Sequence, residues 1–312
     1  MTQSYGAQNE HGILRRVLMH RPGEELLLVT EDNAPHFGFH EPVVYDEFVR
    51  DFDLLVESLE NLGAEVVLLT DVLKDEPVAL DYIRRRPNIT YTRDLAVVMN
   101  AGCLLMSMFH KGRKGDPWVI GLAMKKMGIP ILGEVKPPGF VEGGGIMFLS
   151  ERQMIVSLCD RTTEPAIYQM CDMLLDGGHL DEIIMVTVPE GNVHIDGLMM
   201  FLSPNLVVGY KPHLEMYPST VYRRNRGPEY IWLPEYLDAH GFELIEISRE
   251  ERDHACANYV VVSPLNAVGY DLAARISREL ENRGGRALSV PAEQLIRGNA
   301  GPHCMTCAIL KN

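Results

Sequence analysis

The feature that most constrains this fold is a plan that recurs along the chain: a polar residue or glycine, an apolar run, a short turn and a second apolar run. Four segments carry it: Asp94-LAVVM-NAG-CLLMSM, Gly145-IMFL-SER-QMIVSL, Asp196-GLMMFL-SPN-LVVGY and Asn258-YVVV-SPLN-AVGY. Each reads as two β-strands joined at a turn built from Asn, Ser, Pro or Gly. The first three leading positions, 94, 145 and 196, are evenly spaced, and ILRRVLMHRP opens the chain as the start of a fifth unit. Helical patterns lie between the strand pairs. Phe48, Phe52, Leu55, Leu59 and Leu62 follow a 3.6-residue period that stops at Gly63. Asp116-Pro117 starts a helix ending near Gly128, Glu164-Pro165 starts one closing at Gly177-Gly178, and Asp271 is expected to cap a run through Leu272, Ile276 and Leu280. A helix around Tyr230 to His240 is expected to be broken by Pro234. Five ββαβ units at a pitch of roughly 50 residues imply radial repetition, in which modules close around an axis and no long sheet edge is left bare. A chain of 312 residues would otherwise suggest about two domains; the repeat favours a single α/β domain over residues 1–312.

Charge narrows the partners. Twenty-nine Lys plus Arg against 43 Asp plus Glu give a formal charge of −14, which repels phosphate backbones and anionic membranes. The segment MTQSYGAQNEHGILRR has no apolar core of a leader, and no run approaches the ~18 to 20 apolar residues of a membrane span. The expectation is a cytoplasmic protein that takes neither nucleic acid nor membrane as partner, with self-association left open. Cys103, Cys159 and Cys171 lie in apolar patterns and read as small hydrophobes. Cys304 and Cys307 form one C-x-x-C with no second pair, which does not make a structural zinc site.

Rotation of the units would aim their leading residues at one central channel. Asp94 follows Tyr91-Thr92-Arg93, Asp196 follows His194-Ile195, and the second unit is led by Glu142-Gly143-Gly144-Gly145. Taken singly, each has a plain reading: an Asp before a strand is a turn residue, a lone His a hydrogen-bonded core residue, a Glu before glycines a loop end. Taken together, three acids facing one another need a cation between them. A metal ion would leave the glycine-framed Cys304 unexplained. A guanidinium explains more, because its planar fork of N–H donors matches two carboxylates and its central carbon is open to a thiolate. In that reading Asp94 and Asp196 hold the guanidinium, Cys304 attacks its carbon, His194 protonates the departing amine and then activates water, and Glu142 orients the imidazole. No metal or organic cofactor is required.

Asn88-x-x-Tyr91-Thr92-Arg93-Asp94, Glu142-Gly143-Gly144, His194-Ile195-Asp196 and Gly301-Pro302-His303-Cys304-Met305-Thr306, in this order, resemble the guanidine-modifying enzymes of the arginine deiminase and amidinotransferase superfamily. The resemblance implies a five-bladed α/β propeller in which the matching Cys is the nucleophile, His and Glu assist proton transfer and the two Asp bind guanidinium. It also implies that Asn88, Arg113 and Arg161 receive the substrate α-carboxylate; the plain reading of Arg113, within KGRKGD, is a solvated loop. Two departures stand out: Gly145 replaces a customary Asp, and His303 precedes the nucleophile where many members have Arg. The chain also reads as a compact member without the helical insertion of larger bacterial deiminases. HFGFHEP, residues 36–42, reads either as a lid or as an ordinary packed loop.

These readings point to a hydrolase that converts L-arginine, or a close relative, to citrulline and ammonia. Amidino transfer to an amine, dimethylarginine hydrolysis and arginine dihydrolysis stay open within the superfamily. A propeller that only binds arginine as a sensor is the alternative from another class, and it gives Cys304, His194 and Glu142 no task.

Overall fold

The structure, a computed structural model, describes residues 4–312, so the first three residues of the segment read above for a leader lie outside it. Each of the four expected strand pairs forms. Ala96–Met99 pairs antiparallel with Gly102–Leu105, Ile146–Ser150 with Gln153–Leu158, Met199–Ser203 with Leu206–Gly209, and Val260–Ser263 with Asn266–Tyr270. In each unit a helix follows and returns the chain to a third strand parallel to the second: Ile131–Glu134, Glu182–Thr187, Glu243–Glu246 and Arg286–Val290. The apolar runs are buried on both faces, as expected where helices cover one side and neighbouring units the other.

The fifth unit is assembled from both ends of the chain. Leu14–Met19 pairs antiparallel with Cys307–Lys311 and parallel with Glu65–Leu68. Helix Tyr45–Asn61 lies between Leu14–Met19 and Glu65–Leu68 in the chain and buries Phe48, Phe52, Leu55 and Leu59, the stripe read from the sequence. Each such side chain contributes about 1.5–3 kcal/mol through burial. Gly63, at φ +98°, then reverses the chain.

Four local expectations are corrected. Pro234 lies in the first turn of helix Leu233–Ala239, where a missing N–H costs nothing, so it starts the helix instead of breaking it. Residues Glu229–Ile231 are a strand; with Ser219–Arg223 they extend the neighbouring unit's sheet, giving the order 229–231, 219–223, 182–187, 153–158, 146–150. Asp271 does not cap its helix, since its Oδ1 accepts from the Ala292 N–H. Leu272 is 51% exposed, and the buried stripe there is Ile276 and Leu280. Among the described residues no helix is long and apolar enough to cross a membrane.

Four tight turns enter the first strands of units from one side. They are Thr92–Leu95, Gly143–Gly145, Ile195–Gly197 and His303–Met305, and they touch one another in succession. These contacts gather residues that are far apart in the chain.

Candidate active site

The packing of those turns demands small residues. A Cβ on Gly144 would lie 2.6 Å from His194 Nδ1 and 3.1 Å from Asp94 Oδ1, so glycine lets the imidazole and the carboxylate close over the backbone. On Gly301, a Cβ would overlap the Asn258 carboxamide. The glycines around Cys304 thus admit a side chain from another unit.

Asp94, Glu142 and His194 form one buried group. His194 Nε2 lies 3.1 Å from Glu142 Oε2 and Nδ1 lies 3.6 Å from Asp94 Oδ1. Burial pushes the His194 imidazole towards neutrality, but the Asp94 and Glu142 carboxylates outweigh it and raise the pKa above the usual histidine range. Burial would raise Glu142; the contact with His194 and the Arg161 and Arg113 guanidinium groups hold it well below the ordinary carboxylate range. Both shifts favour the ion pair, an imidazolium beside a carboxylate.

Arg113 is buried among acids. It is 1% exposed, which removes the solvated-loop reading. Its guanidinium lies 2.6 Å from Asp94 Oδ2, 3.6 Å from Asp116 Oδ2 and 3.7 Å from Glu142 Oε2. Three buried acids around one cation are the reason, because each carboxylate in a low dielectric seeks a counter-ion. Arg161 Nη1 is 3.1 Å from Glu142 Oε2. Asn88 donates to the Phe37 carbonyl at 2.8 Å, and its Oδ1 has no hydrogen-bond partner among the described residues.

The thiol belongs to a second group. Cys304 Sγ is 3.6 Å from Asp196 Oδ2 and 3.6 Å from Asn258 Nδ2. Asn258 also donates to the Asp196 carbonyl at 3.0 Å and accepts from the His303 N–H at 2.9 Å. Residues from three units meet here. Burial, then the Asp196 and Asp94 charges, push the Cys304 pKa well above the usual thiol range. A cation placed between those carboxylates would cancel the second cause and favour the thiolate.

His303 was recognised in the sequence only as a departure. Its Nδ1 lies 2.9 Å from Asp196 Oδ2, and burial followed by Arg93 lowers its pKa, so the neutral ring serves as an N–H donor to the carboxylate. Asn258 was aimed at the channel by the repeat but given no role. Its place as the leading residue of its unit was the available signal.

Asp94, Glu142 and His194 offer ligand atoms within 4.8 Å of one another, a grouping that could hold a metal ion. Arg113 and Arg161 already neutralise these carboxylates, and a dication would have to displace them.

Two cavities reach Cys304. One, of about 20 Å³, is bounded by Asp94, Asn88, Arg113 and Arg161 and covered by Phe37 and Gly38 of the 36–42 segment. The other, of about 320 Å³, is lined by His194, Asp196 and Cys304 together with Asn192, Arg252, Asp253 and His40. The 36–42 segment thus borders both. Cys307 is buried, its thiol directed at the Ala96 carbonyl at 3.6 Å.

The sequence profile of arginine deiminase matches residues 80–311. The chain belongs to the arginine deiminase family. Among curated relatives, an arginine deiminase of Listeria welshimeri serovar 6b is 26% identical over 255 residues, which cover 72% of this chain and 62% of the relative. The chain thus spans under two thirds of that relative's length. An arginine deiminase of Mycobacterium avium is 22% identical over 396 residues, with 98% of both chains covered. That span exceeds the 312 residues here, so the relative has segments without a counterpart in this chain, in keeping with the compact reading. Of solved structures, dimethylarginine dimethylaminohydrolase in adduct with S-methyl-L-thiocitrulline superposes with a TM-score of 0.73 at 15% identity, covering 96% of this chain and all of the other. The N-terminal domain of ArgZ, an arginine dihydrolase from cyanobacteria bound to product, gives 0.73 at 13% identity, covering 95% and 97%. These likenesses give the fold: mixed α/β, with five separate sheets among the described residues.

Proposed function

We propose that this chain is a single-domain guanidino hydrolase whose five sheets are the blades of an α/β propeller, and that it converts L-arginine or a close relative to citrulline and ammonia in the cytoplasm. The observation that carries the reading is Cys304 Sγ, 3.6 Å from Asp196 Oδ2 and lining one pocket with His194. A guanidinium held by Asp196 and Asp94 supplies the charge that turns the buried thiol into a thiolate. The sulfur forms a bond to the guanidinium carbon. His194 gives its proton to a terminal nitrogen, the C–N bond breaks and ammonia leaves, with an S-linked amidino group remaining on Cys304. Water then attacks the same carbon while His194 takes its proton; the C–S bond breaks, the ureido product leaves and the thiolate returns. Glu142 keeps the imidazole charged and oriented, and His303 and Asn258 fix Asp196 and the thiol.

The test is incubation with L-arginine alone and with glycine added, following citrulline, ornithine and ammonia, alongside intact-mass trapping on Cys304. Citrulline and ammonia in equal amounts, with an adduct lost in Cys304→Ala, are expected. Ornithine with ammonia would mean dihydrolysis, turnover only with the amine would mean amidino transfer, and saturable binding without turnover or adduct would mean a sensor.

A further inference from the structure

The hairpin formed by Ser219–Arg223 and Glu229–Ile231 ends its sheet on a bare edge. Strand Glu229–Ile231 is the outermost of the five, paired on one side with Ser219–Arg223, and residues 224–230 are all exposed. Tyr230 is 72% exposed and Trp232 44%; by the period of a strand they share a face, while Ile231 on the other face packs against the core. Because Ser219 pairs with Ile231, the exposed Met216 and Tyr217 come to the Trp232 end of the hairpin. An unpaired edge of this kind is a template for another strand, and proteins blunt it with lysines or cover it. No lysine stands between Ser219 and Asp238, and the one charge on the strand, Glu229, is neutralised within the hairpin by Arg223.

The two ends of that edge carry opposite charges. At the hairpin turn, Arg223 is committed to Glu182 and Glu229 and Arg224 lies 3.9 Å from Asp176, whereas Arg226 makes no ion pair among the described residues. At the other end a groove of about 690 Å³ is lined by Trp232, Glu215, Glu235 and Asp238. These three carboxylates also make no ion pair among the described residues, and the one lysine of the groove, Lys211, faces Glu246 at 3.5 Å. Carboxylates beside an exposed indole suit a guanidinium, which pairs with the acids and stacks on the ring.

We propose that a second copy of this chain covers the edge: Glu229–Ile231 pairs antiparallel with the same strand across a two-fold axis at Tyr230, joining the two five-stranded sheets into one. The charges choose this direction. Antiparallel pairing brings the Arg226 turn of each copy to the groove of Trp232, Glu235 and Asp238 on the other; parallel pairing would set arginine against arginine and acid against acid. With Tyr230 on the axis, the two Tyr230 rings face each other and Pro228 faces Trp232 of the second copy, so the aromatic patch is covered by itself. Each edge is used once, and the assembly closes as a dimer.

The experiment is analytical ultracentrifugation of the intact chain over roughly 1–100 μM, with Arg226→Glu, Glu235→Arg, the double variant carrying both, and Tyr230→Lys. The wild type is expected to reach the mass of two chains. Arg226→Glu and Glu235→Arg should each weaken association by about tenfold or more, since each sets like charges together at two symmetric contacts, and the double variant should regain most of the loss. Tyr230→Lys, which places two ammonium groups across the axis, should leave a monomer. Every substituted side chain is exposed in the single chain, so each variant should fold, which circular dichroism checks. A wild type that stays monomeric throughout the range overturns the proposal, as does a dimer that Arg226→Glu and Tyr230→Lys leave intact. A double variant as weak as the single ones overturns the antiparallel direction.

Discussion

Replacing Arg113 by Met separates two roles for this side chain. As a receptor for substrate carboxylate, its loss would raise KM for L-arginine and leave the fold alone. As the counter-ion of Asp94, Asp116 and Glu142, its loss leaves buried carboxylates uncompensated, at a cost of about 3–5 kcal/mol. An unfolding entropy of about 2.1 cal/mol/K per residue amounts to roughly 0.65 kcal/mol/K for a chain of this length, so the melting temperature should fall by about 5–8 °C. The loss should also depend on pH. Burial pushes Asp116 up to about 6 even though Arg113 works against it, so removing Arg113 raises it further. A carboxyl whose folded pKa exceeds its unfolded value loses stability as pH rises through the window between the two. Raising the upper edge extends that window, and the deficit of the variant should be greater at pH 8 than at pH 5. Calorimetric melts at both pH values, with Arg113→Lys as an intermediate case, supply the measurement. A drop below about 1 °C, or one equal at the two pH values, refutes the counter-ion argument.

Glu142→Gln removes one of the carboxylates that raise His194, and the imidazole should titrate at lower pH by NMR, with kcat/KM reduced by at least ~100-fold; an unmoved titration would contradict the pairing. Because the folded His194 pKa is raised, its contribution to stability is present below the unfolded value and lost as pH rises through the folded one; the variant should lose it at lower pH. Asp196→Asn should move the alkylation of Cys304 by iodoacetamide to lower pH, since one of the charges that hold the thiol protonated is gone; an unchanged profile would refute the part given to Asp196. Gly301→Ala should cost about 1–3 kcal/mol and most of the activity, because the methyl group would overlap Asn258 beside the thiol; wild-type turnover would refute that tight packing.

What could be read from the chain alone was local. Apolar runs and the turn residues between them define the hairpins at 96–105, 146–158, 199–209 and 260–270, and a stripe from Phe48 to Leu59 defines its helix. The even spacing of 94, 145 and 196 also carried the idea that these positions converge. Tertiary structure decided whatever depends on partners remote in sequence. Leu14–Met19 finds its antiparallel neighbour at Cys307–Lys311, and strand Ser219–Arg223 joins another unit's sheet, because hydrogen bonding across a sheet edge leaves no periodic trace in either strand. Pairing of Arg113 with three acids, and of His303 with Asp196, was equally invisible: an ionisable side chain in a loop reads the same whether it ends in water or among buried carboxylates. Sequence spacing marked which residues approach the axis; only the packing of the turns settled which charges neutralise one another there, and therefore which pocket stays open beside the thiol.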